Sequence, residues 1–407
     1  MEFNPYIISI STEADAAGLM RRLGVAGEGI EMMAPLAPGQ AARVSGLDAR
    51  MANILKQESL SLGADTALPA EAYALARGEF DALVLASHGQ LLELASRLAR
   101  HGDGLATLGE ALAAASRNYQ QLRGGAAGGN LPPALGGGSW LVMGILNVTP
   151  DSFYDGGRHL DPQAAVERAA RMAEEGAHII DVGGESTRPG ADAVSEGEEL
   201  SRVLPVIERI ADEMDVPVSI DTSKAGVARA ALEAGAMMIN DVTALAGDSG
   251  MVEVAAEHDC PLCLMHMQGT PRDMQKDPRY EDVVRELVEY FSRRLGWAEE
   301  RGVAPGNIMI DPGIGFGKKL EHNLEIINNL DSLLSLGRPL LIGLSRKSFI
   351  GMIMDNEHGD RLAGTIAGNV IAMEKGVSIF RVHDVEANRR ALEVAAAARW
   401  SHTGGRA

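Results

Sequence analysis

The sequence predicts an α/β chain in which a (β/α)8 barrel follows a small α/β N-terminal domain. Three observations carry that expectation. Eight short apolar runs recur after residue 140, each closing in a polar or glycine-rich loop. Helical stretches lie between them, at a spacing of roughly 20 to 45 residues that suits successive βα units. A stretch rich in glycine and proline, Gly124 to Ser139, separates this regular half from a less regular one.

Taken in order, residues 1–123 alternate strand-like and helix-like pieces. "YIISIS" and "DALVLAS" are short β-type runs. "DARMANILKQESLSLG" is a helix candidate, with Asp48 as N-cap and Gly63 just past its end. "GQLLELASRLARHG" and "LGEALAAASRNYQQL" read as two more amphipathic helices. No motif here converts into chemistry, so packing, oligomerisation or regulation are the expected roles. Residues 124–139, "GGAAGGNLPPALGGGS", keep no hydrophobic period and read as a linker.

Residues 140–403 hold the eight runs: "LVMGILNVTPDS", "AHIIDVGGESTRPG", "PVSIDTSK", "AMMINDV", "PLCLMHMQG", "NIMIDPGIGFG", "PLLIGLSRKS" and "VSIFRVHDV". After the first, Asp161 can cap a helix, Pro162 fits its first turn, and Ala165, Ala169, Met172 and Ala173 form one apolar stripe ending before Gly176. Near-continuous apolar strands belong to a sheet covered on both faces. Eight of them favour a closed barrel over an open doubly wound sheet. The glycines of "DPGIGFGKK" match neither a dinucleotide fingerprint nor a phosphate loop.

Composition narrows the function. Hydrophobic residues make up 46% of the 407 and aromatics 4%, the economy of an α/β enzyme. A formal net charge of -19 argues against nucleic acid or anionic membranes as partners. No apolar stretch approaches the roughly 18 residues of a membrane span. The opening "MEFNPYIISISTEAD" lacks the basic start of a signal peptide, so the cytoplasm is the expected compartment. The two cysteines, Cys260 and Cys263, have no second pair to complete a zinc site and read as ordinary buried thiols.

In such a barrel the site forms where strands end. Asn147, Asp181, Arg188, Asp221, Asn240, His266, Asp311, Lys347, Arg381 and His383 all fall there. Singly, each has a bland reading, His266 as a satisfied core or rim histidine. Jointly, they suggest a site. Asp221, Asp311 and Asn240 suit a flat polar heterocycle with adjacent N–H donors. Arg188, Arg381 and His383 suit an anion, above all phosphate. Asn147 offers an amide oxygen of the kind that hydrated Mg²⁺ accepts beside substrate phosphates.

The motifs "GILNVTPDSFYDGG", "DVGGESTRPGA", "SIDT", "MHMQGTP", "DPGIGFGK", "GLSRKSFIG" and "RVHD" together resemble the dihydropteroate synthase family, in that family's order, over about residues 141–400. The resemblance implies a pterin-binding TIM barrel, often a homodimer. Its reaction joins 4-aminobenzoate to 6-hydroxymethyl-7,8-dihydropterin pyrophosphate, giving 7,8-dihydropteroate and pyrophosphate. It implies that Asp221, Asn240, Met265, Asp311, Phe316, Gly343 and Lys347 serve the pterin, with Asp221, Lys347 and Asp311 as the catalytic set. Arg188, Arg381 and His383 would serve the pyrophosphate, with Mg²⁺ on Asn147. Phe153, Thr187 and Pro189 would belong to closing loops, and Ser348 to the aminobenzoate pocket. Arg346 has two readings, a substrate contact or a local ion pair.

Two rivals remain at this level. A pterin-binding methyltransferase, moving a methyl group from methyltetrahydrofolate to a corrinoid protein, would use similar Asp and Asn residues. It would not need Arg188, Arg381 and His383. A non-catalytic pterin-binding regulator, with the N-terminal domain as output, would not need the complete phosphate set either.

Overall fold

The computed structural model describes residues 12–22, 27–36, 39–123, 131–135, 139–149, 154–155, 159–160, 162–186, 194–270, 272–355 and 359–400. The chain divides into two compact units, one built on Met1–Gly124 and the other on Gly125–Arg399.

The first unit holds a three-stranded antiparallel sheet of β1 (Gly39–Leu47), β2 (Asp65–Ala67) and β3 (Phe80–Ser87), in the order β1-β3-β2. Its helix Ala49–Ser61 starts at Asp48, whose side chain accepts the Met51 amide at 2.7 Å. That satisfies one of the donors a helix start leaves open. Helices His88–Leu98 and Asp103–Arg123 follow, the first opened by a capping box between Ser87 and Gln90. Leu55, Val84, Leu91, Leu94 and Leu98 form the core. β1 was not expected, because "GQAARVSGL" is small and largely solvent-facing, without an apolar run to announce it. The run "YIISIS" lies outside the described residues, as does Asp161.

In the second unit, β4 (Leu141–Asn147) comes first, then a two-stranded hairpin of β5 (Tyr154–Asp155) and β6 (His159–Leu160). The barrel continues through β7 (Ile179–Gly183), β8 (Val218–Asp221), β9 (Met238–Asp241), β10 (Leu262–Met265), β11 (Ile308–Asp311), β12 (Leu341–Ile342) and β13 (Ile379–Val382). All eight barrel strands pair in parallel, in the order β11-β10-β9-β8-β7-β4-β13-β12. A parallel bridge between Ile310 and Leu340 joins the two ends. The eight strands are those the apolar runs predicted, and burial along them is almost continuous, as a sheet enclosed on both faces requires. Helix Pro162–Glu174 buries Ala165, Ala169 and Met172 on its expected stripe.

The floor of the barrel corrects one expectation. Leu131 and Leu135 lie in the stretch read as linker, yet they are buried in one cluster with Leu141, Met143, Ile179, Met238, Cys263, Met309, Leu341 and Ile379. Those partners come from the starts of the strands. The segment around the short 3-10 turn Pro133–Leu135 therefore packs against the closed end. Cys260 and Cys263 are free, buried thiols.

Candidate active site

Parallel strands bring their C-terminal ends to one rim, and the register decides which side chains are neighbours there. Asp221 stands beside Asn240, and Met265 beside Asp311. Asp181 is level with Ser219 on the adjacent strand.

Arg381 organises this rim. Its Nε donates to Asp181 Oδ2 and its Nη2 to Asp221 Oδ2, each at 2.6 Å. Asp181 is fully buried and Asp221 is 9% exposed, so the guanidinium bridges two carboxylates that water barely reaches. Asn240 Nδ2 adds a third donor to the cluster, 3.2 Å from Asp181 Oδ2, while Asp181 Oδ1 is buried without a partner among the described residues. Burial pushes the Asp221 carboxyl up to about 7; Arg381 opposes that shift and Asp181 adds to it. Burial works against the charge on Arg381, yet Asp181 and Asp221 hold its pKa above the ordinary range. Expected as an anion contact, Arg381 is thus first of all the clasp on Asp181 and Asp221. Its Nη1 has no protein partner among the described residues and can still face a ligand.

Opposite the clasp lies the loop after β11. Asp311 Oδ1 accepts the Gly313 amide at 2.7 Å, and burial raises this carboxyl while Lys347 pulls it back down. Gly313 and Gly317 have φ of +66° and +60°, and a Cβ there would come within 2.0 Å of His266 O and 2.3 Å of Gln268 O. Only glycine allows so close a backbone approach. The loop turns its Ile314 carbonyl to Lys347 Nζ, which also stands 4.3 Å from the centre of the Phe316 ring. Burial, with Arg381 adding to it, lowers Lys347 to about 8, against the pull of Asp311.

Sequence reasoning gave no role to Lys318, which is buried and donates to His266 Nδ1 at 2.9 Å. His266 is itself a buried core histidine, edge-on to Tyr290 with ring centres 4.7 Å apart. Only the position of Lys318 directly after "GIGFG" could have drawn attention to it.

The remaining residues line the rim. Asn147 ends β4 half-buried. His383 Nδ1 lies 3.0 Å from Ser345 Oγ, just beyond Gly343, and Ser348 is exposed at the first position of helix Ser348–Ile353. Arg346 takes the local reading: Nε donates to Asp384 Oδ2 at 3.0 Å, and its backbone has φ +57°. Phe153, Thr187, Arg188 and Pro189 lie outside the described residues.

This rim sets carboxylates and an amide beside a lysine, within a walled parallel barrel. The pterin binding enzyme family matches residues 143–383, which span every one of these positions. The chain belongs to that family. It is 49% identical over 253 residues to the dihydropteroate synthase of Escherichia coli strain K12, covering 62% of this chain and 89% of that one. It is 42% identical over 363 residues to a probable bifunctional folylpolyglutamate synthase/dihydropteroate synthase of Haloferax volcanii, covering 86% of this chain and 42% of that one. A match of that extent enters the N-terminal unit as well as the barrel. Among solved structures, the dihydropteroate synthase of Xanthomonas albilineans in complex with 7,8-dihydropteroate is 43% identical, with a TM-score of 0.57 over 64% of this chain and 93% of that one.

Proposed function

We propose that this protein is a dihydropteroate synthase, joining 6-hydroxymethyl-7,8-dihydropterin diphosphate to 4-aminobenzoate with release of diphosphate. The observation that carries this reading is one rim holding Asp221, Asn240, Asp311 and Lys347 in a chain that belongs to the pterin-binding family. Carboxylates and an amide accept and donate along the edge of a flat pterin, and the lysine suits its carbonyl.

In this reading the bond between the exocyclic methylene carbon and the diphosphate oxygen breaks, and its electron pair leaves with the diphosphate. The positive charge left on the methylene spreads into the dihydropterin ring. Ionised Asp221 and Asp311, already desolvated, favour that charge more than they could in water. The neutral arylamine nitrogen then forms the new C–N bond and loses a proton. Arg188, Arg381 and His383 serve the leaving group. Phe153, Thr187 and Pro189 serve as loop residues that exclude water, and Ser348 faces the aminobenzoate. Asn147, half-buried at the rim with an oxygen donor, fits a hard cation that takes its other ligands from diphosphate and water. A Mg²⁺ ion held at Asn147 would supply positive charge to offset that of the diphosphate.

The partner we propose is a second copy of the chain. Helix Leu362–Glu374 is apolar around most of its surface and leaves Ile371 exposed. Met352, Ile353 and Met354 are exposed close by, since a Cβ on Gly364 would come 2.3 Å from Ile350 Cγ2. A helix apolar on all sides calls for cover. A cytoplasmic location fits two free, buried thiols.

Two parallel incubations test the function. Dihydropterin diphosphate, 4-aminobenzoate and Mg²⁺ should yield 7,8-dihydropteroate, whereas methyltetrahydrofolate with a corrinoid acceptor should yield no methyl transfer. The opposite pattern overturns the reading.

A further inference from the structure

Lys318 makes no contact that the reaction requires, yet it is 3% exposed in the wall of the site. Its ammonium donates to His266 Nδ1 at 2.9 Å, to His266 O at 3.3 Å and to Phe316 O at 3.0 Å. Burial lowers the pKa of Lys318 to about 7 against the pull of Asp311, so below neutral pH the amine is charged and its three N–H groups meet these three acceptors. Burying an ammonium costs more than burying an apolar chain of similar length, so support for the wall alone would be better served by methionine. The three acceptors also have a pattern. Two belong to the residue that follows β10, and the third belongs to Phe316, whose ring faces Lys347.

We infer that Lys318 is a positioning residue of the proposed synthase reaction: it ties the end of β10 to the glycine loop and thereby fixes Phe316 against Lys347. The inference rests on the pterin reading of this rim. His266 serves as the fixed post. Burial and the Lys318 charge push its pKa down to about 3, so its ring stays neutral and Nδ1 remains an acceptor. Lys318 also places a positive charge near Asp311. The charged groups facing Asp311 are Lys347, Lys318 and Arg381; those facing Lys318 are Asp311 and Lys347. Tyr280, Tyr290 and Cys263 also stand around these groups, each with its pKa raised by burial.

The test compares Lys318→Met and Lys318→Arg with the wild type. In the Met variant the affinity for 6-hydroxymethyl-7,8-dihydropterin should fall about ten-fold or more, while the KM for 4-aminobenzoate stays within about three-fold. The acid limb of kcat/KM should move to higher pH, because Asp311 loses a neighbouring cation, and Lys318→Arg should bring the limb back. Unchanged pterin affinity with an unmoved limb overturns the inference. So does a loss equal for both substrates at every pH, which is what mere support of the fold would give. If the Met variant does not fold, Lys318→Gln is read by the same limb and the same two substrates. A wild type that binds no pterin alcohol and makes no dihydropteroate defeats the functional reading itself. A competent wild type with indifferent Lys318 variants defeats only this inference.

Discussion

Replacing Arg381 by methionine removes the clasp on Asp181 and Asp221 while keeping an unbranched side chain. Two charge-assisted hydrogen bonds of 2.6 Å are lost, and two carboxylates that are 0% and 9% exposed are left facing one another. Breaking a buried pair by removing one partner costs about 3–5 kcal/mol. Two bonds to charged groups at about 1.5–3 kcal/mol each give the same order. Urea unfolding followed by circular dichroism should therefore show the variant about 3–5 kcal/mol less stable at pH 7.5. The deficit should shrink toward pH 5, where Asp221 can take up a proton. Calorimetry should show weaker binding of the pterin alcohol as well as of the diphosphate, because Asp221 loses the group that holds it. A variant within about 1 kcal/mol of wild type at both pH values, with the alcohol bound normally, would refute this account. Arg381 would then act on the diphosphate alone.

Further outcomes are expected. Asp221 has its folded pKa raised from 3.8 to about 7, so the folded state keeps this proton longer than the unfolded one. Its contribution to stability is therefore largest at low pH and declines as pH rises from about 4 to about 7. Since the ionised forms of Asp221 and Asp311 are the working ones, kcat/KM should rise with pH through this region, and Asp221→Asn should remove the part of the rise that Asp221 sets while leaving the part set by Asp311; a profile unchanged in Asp221→Asn would assign the limb to Asp311 alone. Leu135→Ala should cost about 2–5 kcal/mol in the barrel transition, because Leu135 is 7% exposed in the floor cluster; a change near zero would mean that the segment does not pack there. Ile371→Glu should convert a dimer into monomers by sedimentation, and an unchanged sedimentation coefficient would move the interface elsewhere. A chain of residues 125–407 should retain synthase activity, and a soluble but inactive product would give the N-terminal unit a part in the site.

The barrel was legible because each of its strands is an apolar run with a polar stop, and the parallel register then fixes the rim. Asp221, Asn240 and Asp311 could be read from their places at those stops. The clasp could not be read, since Arg381 is 200 residues from Asp181 and 160 from Asp221, and only closure of the barrel brings them together. Arg381 was read by type as an anion ligand, whereas its nearest anions are the protein's own. Lys318 stayed hidden for a related reason. Its partners include the backbone carbonyl and a ring nitrogen of His266, 52 residues away, and Lys318 itself follows a loop whose path depends on glycines in left-handed conformations. Leu131 and Leu135 are isolated apolar residues among glycine and proline, where no period marks a buried face.

The most direct measurement is a single turnover with enzyme in excess over labelled 6-hydroxymethyl-7,8-dihydropterin diphosphate, in the presence of Mg²⁺ and 4-aminobenzoate. The account predicts one 7,8-dihydropteroate formed for each diphosphate released. Diphosphate released with the pterin recovered as its alcohol, or a tightly bound pterin diphosphate that never turns over, would contradict it.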